Sequence, residues 1–170
     1  MKSVLLIIPA QNFNEEEYLI ISNALEKTGI KIFIASDSDF LCLGSEGMKV
    51  KNDVQFYNIH ESNFDGLILV GGAGMRTYWN NPAVKSAVQK FSQKQKPVGA
   101  ICSASVILAK AGVLGEFATC YPDDKNELLK CGIEYREMPV VSRKNIVTAR
   151  DPDSTPEFIE AFLYELSKGN

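Results

Sequence analysis

The segment Gly99–Ser105 places a cysteine where a predicted buried strand turns directly into a predicted buried helix. Cys102 stands at that turn, with small residues two positions before it (Ala100) and two positions after it (Ala104). A nucleophile elbow needs this arrangement, because its sharp turn tolerates no bulk on either side. A sulfur atom at a helix N-terminus is also stabilised as a thiolate. The segment predicts a reactive cysteine; the alternative is a small apolar core residue.

Three carboxylates follow the first predicted strand, at Glu15, Glu16 and Glu17. A structural role explains them, because Asn14 and Glu17 have the spacing of a capping box and acidic residues offset the helix dipole in a first turn. In the functional alternative one carboxyl faces the sulfur of Cys102, which would raise the carboxyl pKa and suit it to general acid/base work. The three side chains point in different directions on a helix, so at most one is expected to face the sulfur.

A glycine-rich turn, Gly71–Gly74, follows another apolar strand. It lacks the Lys-Ser/Thr of a P-loop and the spacing of a dinucleotide fingerprint, which argues against nucleotide binding. The turn predicts backbone N–H groups that stabilise an oxyanion, or a tight turn with no further role.

Other residues near predicted strand ends are candidates for lining a pocket. Tyr121 is one, with anchoring at a turn as the alternative, and Ala73 in the glycine-rich turn is another. Arg150 is followed by Asp151, and the pair is interpreted either as a surface ion pair or as a pocket wall. His60 lies in a polar stretch and is expected at the surface.

Alternating strands and helices must position these residues. Apolar runs predict strands over 3–10, 31–35, 64–70 and 97–101, a hairpin within 38–58, and later strands over 134–139 and 140–149. Helical spacing predicts helices over 15–28, from 82 to beyond 91, and over 103–111, 123–130 and 156–168. This order predicts a three-layer α/β/α sandwich with a mainly parallel sheet, whose ligands gather at the carboxyl ends of the strands.

Composition narrows the class of protein. The chain has 170 residues, 45% of them hydrophobic and 23% charged, which predicts one globular domain over 1–170. A net charge of −3 gives no basic field for nucleic acid or membranes, and the apolar runs are too short to span a bilayer. The first residues show no cleavage pattern of a signal peptide, so a cytoplasmic protein is expected.

The cysteine and histidine content restricts the possible metal sites. Four cysteines without a Cys-x-x-Cys pair, together with a single histidine, do not make a zinc-finger set. The cysteines are expected to be free thiols in a reducing compartment. We expect no metal and no organic cofactor.

Taken together, these segments resemble the DJ-1/ThiJ/PfpI superfamily over nearly the whole chain. The resemblance is carried by FDGLILVGG (64–72), the Ala-Ile-Cys elbow (100–102), Ala-Gly-Val-Leu (111–114), Thr-Cys-Tyr-Pro (119–122) and Thr-Ala-Arg (148–150). It implies a flavodoxin-like sandwich, and commonly a homodimer. It further implies that Cys102 is the reactive residue, that Glu17 is the glutamate facing it, and that the backbone N–H groups of Gly72 and Ser103 are the oxyanion donors.

The chain also departs from the pattern of this superfamily. Its peptidase and chaperone-like branches usually have histidine directly after the cysteine, where this chain has Ser103, and this argues against peptidase activity. The deglycase-type branch often has histidine in a Thr-x-His-Pro segment, where this chain has Tyr121. The late Arg-Gly-Pro-Gly of many members is Arg-Asp-Pro-Asp at 150–153.

Two functions follow from the resemblance. In the first, the protein is an enzyme that needs no cofactor and uses Cys102 and Glu17 as its catalytic residues. Its substrate is a small electrophile, either a reactive carbonyl or its glycated adduct, and the reaction is a glyoxalase- or deglycase-type hydrolysis. Isocyanide hydration by the same pair is a minor variant. In the second, the protein is a non-catalytic sensor of oxidative stress whose Cys102 is oxidised to a sulfenic or sulfinic acid. A scaffold with an inert cysteine is the third possibility.

Overall fold

The computed structural model describes residues 1–169, which form twelve strands and five α-helices. The strands are β1 (Ser3–Ile7), β2 (Gln11–Phe13), β3 (Lys31–Ser36), β4 (Leu41–Gly44), β5 (Lys49–Lys51), β6 (Val54–Gln55), β7 (Gly66–Leu69), β8 (Val98–Ile101), β9 (Phe117–Ala118), β10 (Glu134–Tyr135), β11 (Val140–Arg143) and β12 (Ile146–Ala149). The helices are α1 (Glu15–Lys27), α2 (Pro82–Gln93), α3 (Ser105–Lys110), α4 (Lys125–Lys130) and α5 (Thr155–Lys168).

Seven strands form the central sheet, in the order β11-β12-β8-β7-β1-β3-β6. Every neighbouring pair is parallel except β11 and β12, which form an antiparallel hairpin at one edge. The mainly parallel sheet predicted from the sequence is therefore confirmed. Because the strands are parallel, β1, β7 and β8 end side by side at the same edge of the sheet.

Helices cover both faces of this sheet. Leu5 and Ile7 of β1 pack with side chains of α2 and α3, whereas Val4 and Leu6 of the same strand pack with side chains of α1 and α5. A strand that is covered on both sides must be apolar throughout, and all four of these side chains are fully buried. The three-layer arrangement predicted from the sequence is confirmed.

Two smaller sheets lie outside the main one. The hairpin predicted within 38–58 is β4 and β5, which also pairs with β2, and β6 from the same stretch adds a strand to the edge of the main sheet. The predicted strand over 134–139 is wrong in length. It ends at Tyr135 and pairs with β9 in a sheet of two strands, because a turn between Met138 N–H and Arg136 C=O follows and Pro139 has no N–H to donate.

Residues with suitable side chains or backbone conformations lie at the helix ends, and Asn14, with its predicted capping role, is among them. Asn14 and Asn81 cap α1 and α2, and Gly29 follows α1 with φ +74°, a left-handed conformation that suits glycine. The predicted helix over 103–111 is shorter than expected, because its first turn, Cys102–Ala104, is a 3₁₀ turn. Within residues 1–169, none of the helices combines the length and apolarity that crossing a bilayer requires.

Candidate active site

Cys102 occupies a strained turn at the carboxyl end of β8. Its φ is +63°, in the left-handed region that residues with a Cβ rarely adopt, and such a conformation costs about 1–3 kcal/mol. Ala100 and Ala104 on either side are fully buried, so the turn has no room for larger side chains. The backbone therefore has the geometry expected of a nucleophile elbow.

Glu17 of α1 brings a buried carboxyl group to this turn. The Gly71 N–H donates to Glu17 Oε1 over 2.8 Å, and the carboxyl group also interacts with the side chain of Cys102. Glu17 is completely buried, and Oε2 has no other hydrogen-bond partner among the described residues. Burial raises the pKa of Glu17 from 4.5 to about 8, although the Gly71 N–H and Cys102 oppose this increase.

The other two glutamates of the first turn lie elsewhere. Glu15 Oε2 accepts hydrogen bonds from the backbone N–H groups of Glu46 and Met48, at 2.7 and 2.9 Å, and so holds the turn of the β4–β5 hairpin. Glu16 is exposed. The structure therefore brings only Glu17, of these three, to the cysteine.

Gly71 and Gly72 allow this close approach. A Cβ on Gly71 would lie 2.6 Å from the Cβ of Cys102 and 2.6 Å from Glu17 Oε1. Gly72 has φ +124°, and a Cβ there would overlap the carbonyl oxygen of Asn12. Each position therefore excludes a side chain, and Gly71 also supplies the N–H that orients Glu17.

The backbone N–H groups of Gly72 and Ser103 face the sulfur of Cys102, and both favour its ionised form. Burial, followed by the negative charge of Glu17, nevertheless raises the pKa of Cys102 to about 12. The expectation that the helix N-terminus yields a stabilised thiolate is corrected here. Burial outweighs the N–H groups, and α3 begins only at Ser105.

Comparison with known proteins tests the family resemblance seen in the sequence. The model of the DJ-1/PfpI family matches residues 2–165. The chain belongs to the DJ-1/PfpI family. A deglycase of Pyrococcus horikoshii is 34% identical over 160 residues, which cover 93% of this chain and 96% of the relative. A glutathione-independent glyoxalase of Caenorhabditis elegans is 24% identical over 157 residues, or 92% of this chain and 84% of the relative.

Solved structures agree with this assignment to the DJ-1/PfpI family. A ThiJ/PfpI domain protein from Brachyspira murdochii superposes with a TM-score of 0.95 at 30% identity, covering 99% of this chain and 98% of the other. Together with the sheet order described above, this likeness confirms the predicted flavodoxin-like fold.

Ser103, where some branches of the DJ-1/PfpI family have histidine, takes part in a buried polar network. Its hydroxyl donates to Asp124 Oδ2 over 2.7 Å, and Asp124 also accepts from Arg76 Nε over 3.0 Å. The Trp79 indole N–H donates to the Ser103 carbonyl oxygen over 2.8 Å. No local sequence pattern indicates that Arg76 pairs with Asp124, or that the Gly71 N–H donates to Glu17.

The three predicted pocket residues have different positions. The Tyr121 N–H donates to the Cys102 carbonyl oxygen over 3.3 Å, so this residue adjoins the site. Ala73 is exposed at the first position of the 3₁₀ turn Ala73–Tyr78, directly after Gly72. Arg150 pairs with Asp151 over 2.8 Å, and no described hydrogen bond joins it to Cys102. His60 is exposed, as predicted.

A cavity of about 770 Å³ lies away from this site. Its lining includes Pro97, Asn145 and Ile146, at the amino ends of β8 and β12, whereas Cys102 lies at the carboxyl end of β8. The cavity therefore does not adjoin the cysteine. In residues 1–169, no three His, Cys, Asp or Glu side chains are grouped to hold a metal ion.

Proposed function

We propose that this DJ-1/PfpI protein is a cysteine-dependent enzyme that hydrolyses small reactive carbonyls, or their adducts with thiols and amines, without a cofactor. One observation carries the proposal: the fully buried Glu17 carboxyl is held against Cys102 by the Gly71 N–H. The relatives named deglycase and glyoxalase support the class of substrate.

Methylglyoxal illustrates the proposed reaction. The sulfur of Cys102 adds to the aldehyde carbon while the thiol proton passes to the Glu17 carboxylate. The carbonyl electron pair moves to its oxygen, which the N–H groups of Gly72 and Ser103 stabilise. Glu17 gives the thiol proton to this oxygen and is a carboxylate again. It then takes the proton of the former aldehyde carbon and delivers it to the neighbouring carbon, while the hydroxyl proton passes to the former ketone oxygen, and the product is a lactoyl thioester. One water hydrolyses the thioester, releases lactate and restores the thiol, so no external oxidant or reductant is consumed.

Adducts of methylglyoxal reach the same cysteine intermediate by a different first step. With a hemithioacetal, Cys102 displaces the carrier thiol, which leaves with one proton, and the same cysteine adduct forms. The raised pKa of Glu17 supports its proposed role, because a general base works best when its pKa lies near the working pH.

The test measures methylglyoxal consumption and lactate formation by the wild type, Cys102→Ala and Cys131→Ala. Cys131 is exposed, which makes its variant a matched control for loss of one thiol. We expect Cys102→Ala to lose turnover and Cys131→Ala to keep it. Unchanged turnover in Cys102→Ala would contradict the proposal. Stoichiometric oxidation of Cys102 by peroxide, without any turnover by the wild type, would favour the sensor instead.

We also propose that the protein works as a homodimer in the cytoplasm. Large apolar side chains are exposed at Leu19 of α1 and at Phe40 and Leu41, where β4 begins, which supports a partner subunit. All four cysteines are free, which supports a reducing compartment. Light scattering of the wild type and Phe40→Ser tests the dimer. A monomeric mass for the wild type would contradict it.

A further inference from the structure

A guanidinium group lies at the edge of the Cys102 site. Arg76 belongs to the 3₁₀ turn Ala73–Tyr78, and its side chain is 39% exposed. Its guanidinium carbon is 5.9 Å from the centre of the Tyr121 ring, and the Tyr121 backbone N–H donates to the carbonyl oxygen of Cys102. Arg76 is also close enough for its charge to interact with that of Cys102. A partly exposed cation therefore lies beside the segment that carries the sulfur.

A buried carboxylate holds this cation from behind. Asp124 is only 5% exposed and accepts from Arg76 Nε over 3.0 Å and from Nη2 over 3.4 Å, with the Ser103 hydroxyl as its third donor. The acidic end of the pair is buried and the basic end is exposed, so the positive end faces incoming molecules. Asp123 also lies near Arg76, but it is exposed, and solvent screens its charge.

The Asp124 contact leaves one edge of the guanidinium available. Nε and Nη2 donate to Asp124, and Nη1 donates no hydrogen bond to any residue within 1–169. A guanidinium has five N–H donors and can bind one carboxylate along each of two edges. Arg76 therefore presents the Nη1–Nη2 edge to a second carboxylate.

We propose that Arg76 recognises a carboxylate on the electrophile that Cys102 attacks, so that the site prefers reactive carbonyl adducts carrying a carboxylate near the reacting carbon. Arg76 is then a specificity-determining residue, held in place by Asp124. The identity of the substrate rests on the proposed function, whereas the preference for negative charge does not.

Paired alkylating reagents test the charge preference without any turnover. The same thiolate attacks iodoacetate and iodoacetamide and displaces iodide from each. The reagents differ in the carboxylate, so the ratio of their rates at Cys102 cancels the thiolate fraction. We expect Arg76→Gln to lower the iodoacetate/iodoacetamide ratio about three- to sevenfold, the effect of one charge at a partly screened distance of several ångströms. Asp124→Asn leaves Arg76 uncompensated and should raise the ratio about two- to fourfold.

Two controls isolate the local effect. The ratio at Cys131, measured by peptide mass mapping of the same samples, should not change, because this residue lies at the opposite end of α4 from Asp124. Lys90→Gln removes an exposed cation late in α2 and should leave the ratio at Cys102 unchanged. High salt should bring the ratios of the variants closer together.

Three results would overturn the proposal. The first is an equal ratio in the wild type, Arg76→Gln and Asp124→Asn. The second is a ratio that changes in the same direction in both variants. The third is a Cys102 that neither reagent labels, since no electrophile would then reach the site. If Arg76→Gln fails to fold, Asp124→Asn with Arg76→Lys decides, because the first should raise the ratio and the second should keep it.

Turnover assays test whether the preference for a carboxylate extends to substrates. The methylglyoxal adducts of N-acetylcysteine and of its amide differ only in the carboxylate, and the wild type should show the higher kcat/KM for the first. Arg76→Gln should remove this preference, so that the two adducts have nearly equal kcat/KM. If neither adduct is turned over but the alkylation ratios change as expected, the proposed function fails and the carboxylate preference stands.

Discussion

Two buried cysteines lie in neighbouring segments of this protein, and only one has the surroundings of a nucleophile. Burial raises the pKa of both Cys102 and Cys120 to about 12. Cys120 donates from its sulfur to the Tyr121 carbonyl oxygen over 3.2 Å, and its pKa is raised further by the charge of Asp124. Burial alone therefore does not distinguish Cys102 from Cys120.

The difference lies in what surrounds each sulfur. Cys102 has a left-handed backbone, the N–H groups of Gly72 and Ser103, and the carboxyl of Glu17. The two N–H groups favour the ionised sulfur, whereas the negative charge of Glu17 opposes it. In the proposed mechanism the N–H groups also stabilise charge on a substrate oxygen, and Glu17 accepts the thiol proton. Under the proposed function, Cys102 differs from Cys120 through its N–H donors and its proton acceptor, and the following experiments remove these features in turn.

The largest effect is expected for Glu17→Gln, which removes the proton acceptor that Cys120 lacks. Turnover should fall about 10²- to 10³-fold, the usual contribution of a general acid/base group. The rate of alkylation of Cys102 by iodoacetamide should not fall with turnover. Below about pH 8 the two proteins should react alike, and above it the variant should react faster, because no carboxylate charge opposes the thiolate.

Both outcomes can be measured on the same samples, by lactate formation and by peptide mass mapping. Cys120 serves as the internal control for alkylation, because the substitution does not touch its surroundings. Parallel losses of turnover and of alkylation across the whole pH range would mean that Glu17 only supports the fold.

The pH dependence of the free energy of unfolding should give a second test of the raised Glu17 pKa. Its pKa is about 8 in the folded protein and 4.5 as a free group, so the folded state binds more protons in this window. The free energy of unfolding should therefore fall as the pH rises from 4.5 to about 8, by roughly 2–4 kcal/mol. Urea denaturation across this range measures the slope, and Glu17→Gln should flatten it. An equal slope in both proteins would contradict the raised pKa.

Gly71→Ala should break the close approach of Glu17 to Cys102. The added Cβ would lie 2.6 Å from the Cβ of Cys102, and overpacking of this kind costs about 1–3 kcal/mol. We expect loss of stability in urea and a fall in turnover of about tenfold or more, equivalent to at least ~1.4 kcal/mol at the transition state.

Gly29→Ala is the matched control for Gly71→Ala. Gly29 has a left-handed φ but open space around its Cβ position, so the variant should lose only about 1 kcal/mol of stability and keep its turnover. Equal turnover in both glycine variants would show that the contact at Gly71 does not matter for the reaction.

The smallest effect is expected for Cys120→Ala. Removing a fully buried sulfur should cost about 1–2 kcal/mol of stability through lost packing. Turnover of folded protein should stay within about twofold of the wild type, since no step of the proposed mechanism uses Cys120. A large loss of turnover at full folding would remove the contrast between the two cysteines.

The sequence predicted the sheet and the cysteine turn because both have local signatures. Apolar runs such as residues 64–70 indicate strands covered on both faces, and small residues around Cys102 indicate a sharp turn. The capping box predicted for Asn14 and Glu17 is confirmed only in part. Asn14 accepts from the Glu17 N–H, but the Glu17 side chain turns away to Gly71 instead of closing the box.

Other parts of the site depend on contacts between distant segments. Helical geometry did not decide which of Glu15, Glu16 and Glu17 faces the sulfur of Cys102. Only the family resemblance selected Glu17. The pairing of Arg76 with Asp124 joins residues 48 positions apart, and no local pattern encodes it. The pKa of Cys102 was expected in the wrong direction, because the sequence shows a helix N-terminus but does not show how deeply the sulfur is buried.

The Gly71 peptide unit ties the start of α1 to the end of β7, since its N–H donates to Glu17 and its carbonyl accepts from the Asn14 N–H over 2.9 Å. Both bonds lie two residues beyond the end of β7, a central strand of the sheet, and we expect them to open only when most of the protein unfolds. The Gly71 amide should therefore be among the slowest to exchange with deuterated water. Heat inactivation should then follow the same curve as global melting, with no folded but inactive species between them.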